Sequence, residues 1–158
     1  MTSEGKQDLL TLITETHSAT RSMVEEVDPE LRVYGETGWR VRDIIGHIAT
    51  WEREVTKSIL AFVDGEEYAT PNLNNIHEFN QTEVAKLEDL TAQQILDEWK
   101  DTNQDFKDAV SSIPLDMLPV HILFPWVDER GDIALLVKYV CNHDIEHREE
   151  IKEAISGE

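Results

Sequence analysis

The chain has 158 residues, 33 of them Asp or Glu against 14 Lys or Arg, for a formal net charge of −19 with histidines neutral. Phosphate is held mainly by Lys and Arg, so this balance, with no basic cluster in the sequence, argues against nucleic acid and against an anionic membrane surface as partners. Hydrophobic residues make up 40 %, enough for a folded core, and the length suits a single domain over residues 1–158.

The longest apolar stretches, such as Ile133 to Val137, fall far short of the ~20 residues that span a bilayer. The start of the chain lacks the basic-then-apolar pattern of a secretory signal, so the expected location is cytoplasmic. Cys141 is the single cysteine, which rules out an intrachain disulfide and a cysteine-based metal cluster. Any metal would have to use histidine or carboxylate.

Apolar residues recur at three-and-four spacing, the period of helices packed on a core. Leu9, Leu10, Ile13, Thr20, Met23, Val24 and Val27 form a first stripe, ended by Asp28-Pro29. A second helix is expected from about Val41 to Asp64, with Ile44, Ile45, Ile48, Val55, Ile59 and Phe62 inward and Asp64-Gly65 as its stop. A helical segment over Asn72 to Leu90 follows, although its Asn-rich start also reads as loop. Thr91-Ala-Gln-Gln94 matches a capping box and opens a helix with Ile95, Trp99, Phe106, Val110 and Ile113 on one face, closed by Pro114 and Pro119. Leu115 to Gly131 is a connection bearing His121 and Phe124-Pro125-Trp126. Asp132 then caps a last helix to about Ile155, with Ile133, Leu136, Val137, Val140 and Ile151 inward. The expected class is all-α: a four-helix bundle with an additional helical segment in the second crossover connection.

The sharpest chemical feature is His143-Asp144-Ile145-Glu146-His147. Four-residue spacing puts both imidazoles on one helix face, where they can share a metal ion. The apolar stripe through Leu136 and Val140 continues onto His143, His147 and Ile151, so both rings should point into the bundle. A bare His-x-x-x-His is more often two hydrogen-bonded histidines than a metal site. A third ligand would come from another helix. His47, at the edge of the second stripe, is the leading candidate; His17, four after Ile13, is a rival, and His77 and His121 rank lower. Periodicity alone leaves each of them readable as an ordinary core or surface histidine.

A zinc-protease reading of His143-Asp144-x-x-His147 fails because no further histidine follows; Glu149, Glu150 and Glu153 read instead as a solvated face. There is no Gly-rich phosphate loop, nucleophile elbow or dinucleotide fingerprint. Cys141 faces away from His143 on the helix and reads as a small buried residue. The four tryptophans read first as core, with Trp51 and Trp126 also able to wall a pocket near the histidines.

Two segments resemble a known superfamily. Gly38 to Glu52, GWRVRDIIGHIATWE, is similar to the second-helix signature of the DinB-like proteins, and Val140 to Ile151, VCNHDIEHREEI, to their last helix with His-x-x-x-His-Arg. The resemblance implies a bundle with up-down-down-up connectivity, often dimeric, that binds a divalent transition metal through three histidines. Transferred by position, these ligands are His47, His143 and His147, which selects His47 over His17. Arg40 stands where many relatives have a capping Ser or Thr, and Glu149-Glu150 replaces a Gly-Gln, departures that leave the ligands intact.

Three neutral imidazoles leave an ion its full charge and an open position, as in catalytic sites. Zn or Ni suits imidazole ligands, with Fe or Mn as alternatives. Such an ion can activate water for hydrolysis or hold a low-molecular-weight thiol for S-transfer to a small-molecule electrophile. Glu52, one turn after His47, is a candidate orienting or proton-transfer group, or else a surface residue. The competing expectations are a non-catalytic bundle that binds or sequesters a small molecule, and a structural homodimer with a residual metal site. Against the −19 charge, an anionic thiol would need local help from Arg42, Arg53, Lys57 or Arg148.

Overall fold

The computed structural model describes residues 3–126 and 128–157. Its long helices are α1 (Ser3–Val24), α2 (Val41–Val63), α4 (Ala92–Ser112) and α5 (Ile133–Ser156), with a shorter α3 (Ile76–Ala85) between α2 and α4. A 3-10 turn (Leu115–Met117) and a two-stranded antiparallel ribbon, β1 (Ile122–Leu123) and β2 (Arg130–Gly131), fill the connection before α5. Among the described residues no helix is long and apolar enough to cross a membrane.

The helix ends follow local chemistry. At α4, the Thr91 hydroxyl accepts from the Gln94 amide at 3.1 Å while the Gln94 side chain accepts from the Thr91 amide at 2.8 Å, the reciprocal pair expected from the sequence. Asp132 caps α5 by accepting from the Leu135 amide at 2.9 Å. At α2, Arg40 has no acceptor to offer, and the Asp43 carboxylate takes over: it accepts from the Arg40 amide at 2.9 Å and from its Nε at 3.0 Å. Arg40 also reaches Glu30 and Glu88, so the start of α2 is tied to the α1–α2 and α3–α4 connections.

Two expected elements are shorter than their apolar patterns suggest. The first stripe runs to Val27, but α1 ends at Val24 and continues as tight turns in which the Glu26 and Val27 amides donate three residues back. Helix α3 begins only at Ile76, because Asn72 sits at a left-handed φ of 59° and Asn75 caps the helix by accepting from the His77 and Glu78 amides.

The four long helices meet in a ring. Helix α2 packs chiefly on α4 and also on α5, and α1 packs on both α5 and α4. One apolar cluster, with Ile13, Val55, Ile59, Phe106, Val110, Leu136 and Val137 at its heart, fills one part of the bundle. A second gathers Ile44, Ile45, Ile48, Ile95, Trp99 and Ile151. Fully burying such side chains contributes about 1.5–3 kcal/mol each. Helix α2 is buried on nearly every side from Val41 to Ile59, so the polar groups it carries, His47 and Glu52 among them, lie inside the protein.

Candidate metal centre and its pocket

His47 lies on α2, and His143 and His147 lie one turn apart on α5. Their side chains converge: Nε2 of His143 is 3.0 Å from Nε2 of His47 and 3.1 Å from Nε2 of His147. Three nitrogens each about 2.0–2.1 Å from a tetrahedral ion would stand about 3.3 Å apart, close to the two distances from His143, and the three ligand atoms all lie within 4.8 Å of one another. The rings meet edge to face, with centroids 4.5–5.0 Å apart. Burial holds all three neutral: His47 is driven down to about 2 by desolvation and by its two histidine neighbours, His143 to about 3 by desolvation and His147, and His147 to about 4 by desolvation. Neutral imidazole is the form that ligates a metal.

The far nitrogen of His147 is anchored. Nδ1 lies 2.8 Å from the Tyr34 hydroxyl and 3.1 Å from Glu150 Oε1, so a proton on Nδ1 has a carboxylate to donate to and Nε2 is left with its lone pair toward the other rings. Glu150 reads from sequence as part of a solvated face, yet its three-residue offset from His147 sets it beside the ring; 42 % of its side chain stays exposed. Tyr34 comes from the irregular connection before α2, where no sequence pattern marks it. Its place is set by a tight turn in which the Tyr34 amide donates to the Trp39 carbonyl and the Gly38 amide to the Tyr34 carbonyl, with Gly38 at a φ of 75° that favours glycine. The Trp39 ring then sits 5.0 Å from that of His47.

The other candidates separate cleanly. His17 is buried on α1 against Trp99, ring centroids 4.3 Å apart, and neither of its nitrogens has a hydrogen-bond partner among the described residues. His77 and His121 are exposed. Cys141 is buried, and desolvation pushes its thiol up to about 12, a poor nucleophile.

Glu52 is 2 % exposed. Its Oε2 accepts from Asn103 Nδ2 at 2.7 Å and its Oε1 has no partner among the described residues. Desolvation raises its pKa to about 8, with the Asp144 charge adding to the effect against the Asn103 hydrogen bond. Asp144, held by the Thr20 hydroxyl, is itself raised to about 6 by burial. Asn103 and Thr20 carry no sequence signal for this role beyond their inward position.

A pocket of about 420 Å³ opens beside the histidines, lined by His47 and His143, by Glu52, and by the aromatic walls Trp51, Trp126 and Tyr139. Arg42, Arg53, Lys57 and Arg148, expected as helpers for an anionic thiol, do not line it. Arg42 bonds instead to Glu30 and the Leu90 carbonyl, and Lys57 to Glu54.

The family model described as mycothiol maleylpyruvate isomerase N-terminal domain matches residues 10–118, a range that holds His47 and Glu52 and ends before α5. No curated protein matches the sequence significantly. Among solved structures, an uncharacterised protein from Escherichia coli UTI89 superposes with a TM-score of 0.77 at 15 % identity, over 96 % of this chain and 93 % of that one. The mycothiol-dependent maleylpyruvate isomerase superposes with a TM-score of 0.74 at 16 % identity over 92 % of this chain; the match spans 60 % of the isomerase. Colibactin self-resistance protein ClbS, solved in complex with a dsDNA, gives 0.78 at 14 % identity over 96 % and 95 % of the two chains. At these identities the likeness is one of fold.

The last of these corrects an expectation. The net charge argues against nucleic acid as a partner, yet a protein of this same fold is found with dsDNA bound. A net charge sums the whole surface, whereas phosphate responds to the cations nearest it, so −19 alone excludes nothing of this kind.

Proposed function

The chain belongs to the mycothiol maleylpyruvate isomerase N-terminal domain family, within the DinB-like helical superfamily, and from that premise we propose that it is a metal-dependent enzyme acting on a small molecule in the pocket beside the histidines. The observation that carries the reading is the convergence of three neutral Nε2 atoms beside a cavity of ligand size. His47, His143 and His147 would hold a divalent ion, Zn or Ni by ligand preference, with Fe or Mn also compatible with imidazole. When bound, that ion supplies Lewis acidity, polarising a carbonyl or acidifying a water or thiol.

The protein's own groups do the rest. Tyr34 and Glu150 fix the tautomer and orientation of His147. Glu52, raised to about 8 and lining the pocket, holds a proton at neutral pH that it can deliver to a leaving group. Trp51 and Trp126 exclude water from one side of the cavity. The protonated acid favours hydrolysis of an ester or amide. The family match favours the second reading, S-transfer from a low-molecular-weight thiol.

The test is metal analysis of protein purified without an affinity tag, stripped with chelator and titrated with Zn and Ni. One equivalent per chain is expected, lost in His143→Ala and His147→Ala. Less than a tenth of an equivalent in the parent protein, before and after titration, would overturn the proposal. With metal bound, ester and amide substrates against thiol-plus-electrophile pairs separate the two reactions.

A further inference from the structure

The aromatic wall of the pocket has its own chemistry. Trp51, Trp126 and Tyr139 stand together there, with centroids 6.3 Å apart for the two indoles and 5.9 Å apart for Trp126 and Tyr139. Each ring is tied by its polar edge. The Trp51 indole donates to Asn80 Oδ1 at 2.8 Å, the Trp126 indole to Glu129 Oε1 at 2.8 Å, and the Tyr139 hydroxyl to Glu129 Oε2 at 3.1 Å. Both oxygens of Glu129 are thus met by neutral donors, and among the described residues no Lys, Arg or His pairs with it. Among the described residues the lining holds one other acid, Glu52, which keeps its proton at neutral pH, and no Lys or Arg.

Three aromatic rings, two of them hydrogen-bonded to a carboxylate without a counter-ion among the described residues, form a receptor for positive charge. The ring faces carry negative quadrupoles, the carboxylate a full charge, and the apolar walls strengthen both by excluding water. At this wall an anion would meet the Glu129 carboxylate with no Lys or Arg among the described lining residues. We infer that this part of the pocket is an aromatic cage for an organic ammonium group, and that the molecule taken beside the histidine centre is an amine or quaternary ammonium on an apolar body, not an anion. The inference rests on reading the cavity as the substrate side of that centre, and it names the class of substrate.

The test uses three probes with one apolar body: 4-phenylbutylamine, 4-phenylbutanol and 4-phenylbutanoate, titrated calorimetrically at pH 7 into the protein as purified. The amine is expected to bind at least about tenfold more tightly than the alcohol, and the carboxylate most weakly. Glu129→Gln keeps acceptors and donors for Trp126 and Tyr139 while removing the charge; it is expected to bring the amine to the level of the alcohol and leave the alcohol unchanged. Raising salt in the parent protein should weaken the amine alone, a readout independent of whether the variant folds. Equal affinity for amine and alcohol, tighter binding of the carboxylate, or no binding of any probe at millimolar concentration would overturn the inference. Metal uptake is read separately. Stoichiometric zinc with no charge preference refutes the cage alone, and a clear amine preference without zinc uptake refutes the metal centre alone.

Discussion

Glu52→Gln tests whether the buried carboxyl beside the pocket is protonated at neutral pH. The side chain is 2 % exposed, and its pKa rises from 4.5 in the unfolded chain to about 8 in the fold. A raised pKa means that the folded state binds the proton more tightly. The stabilisation is complete below about pH 4.5 and is lost as pH climbs through 8, since the unfolded chain ionises freely in that window while the folded one does not. At about 1.4 kcal/mol per pH unit, the whole window amounts to about 5 kcal/mol as an upper limit. The amide introduced by the substitution cannot ionise, and its oxygen can still accept from Asn103. The assay is urea unfolding of metal-free parent and variant from pH 5 to 8.5. Titrations common to both proteins cancel in the difference, and so does any fixed packing cost of the substitution. The variant should gain on the parent by at least about 2 kcal/mol between pH 5.5 and 8. Parallel stability curves would show that Glu52 ionises normally, which would remove the proton-delivery role as well.

Three further outcomes follow from the same geometry. His17 is buried with two unpartnered nitrogens and is driven down to about 4, chiefly by desolvation; the unfolded chain takes up a proton below about pH 6.5 that the folded one refuses, so stability falls as pH drops toward 4. His17→Leu should raise stability by about 1 kcal/mol or more at pH 7 and by more at pH 5, and chemical denaturation at the two pH values that gave no larger gain at pH 5 would count against it. Glu150→Ala and Tyr34→Phe should each weaken zinc binding about 10–100-fold with the circular dichroism spectrum unchanged; competition with a chromophoric chelator measures this, and parental affinity in both variants would remove their orienting role. Thr91→Ala breaks the capping box of α4 and should cost about 0.5–2 kcal/mol in thermal or urea unfolding, while Ser in its place should restore most of that.

The helices were legible because burial on one face writes itself into the sequence at the helical period. Ile44, Ile45, Ile48, Val55 and Ile59 are all in the core, and the caps at Thr91 and Asp132 need only residues three apart. The pair His143 and His147 was legible for the same reason. His47 was less so: its place on the second stripe made it the leading candidate with His17 as a rival, and the superfamily resemblance decided between them for His47, the histidine that converges with the pair. Tyr34 and Asn103 lay beyond reach because each meets its partner through tertiary contact. Tyr34 is 113 residues from His147, and Asn103 is 51 from Glu52. Glu129 reaches Trp126 locally, but from a connection whose ribbon is too short to leave a periodic pattern. The bounds of α3 and the end of α1 were set by backbone turns at Asn72 and Val24 rather than by where apolar residues stop.

The histidines project from α2 and α5, whereas Trp126 and Glu129 hang on the turn of the β1–β2 ribbon. That ribbon is fastened to the bundle by few bonds: the Ser58 hydroxyl to the Leu123 carbonyl, the Thr70 amide to the Pro125 carbonyl, and Arg130 to Glu67. The connection therefore supplies two of the cage residues, Trp126 and Glu129, while Trp51 and Tyr139 come from the helices that carry the histidines. Within the segment from 122 to 131, Ile122 and Phe124 belong to the core, whereas Trp126 and Glu129 are only partly buried, so substitutions at the latter two can change which molecule is admitted at less cost to folding. Such an architecture lets one reactive scaffold be re-addressed by changing the two side chains that the connection contributes, and it makes those positions the first to diversify in any laboratory selection for a new substrate.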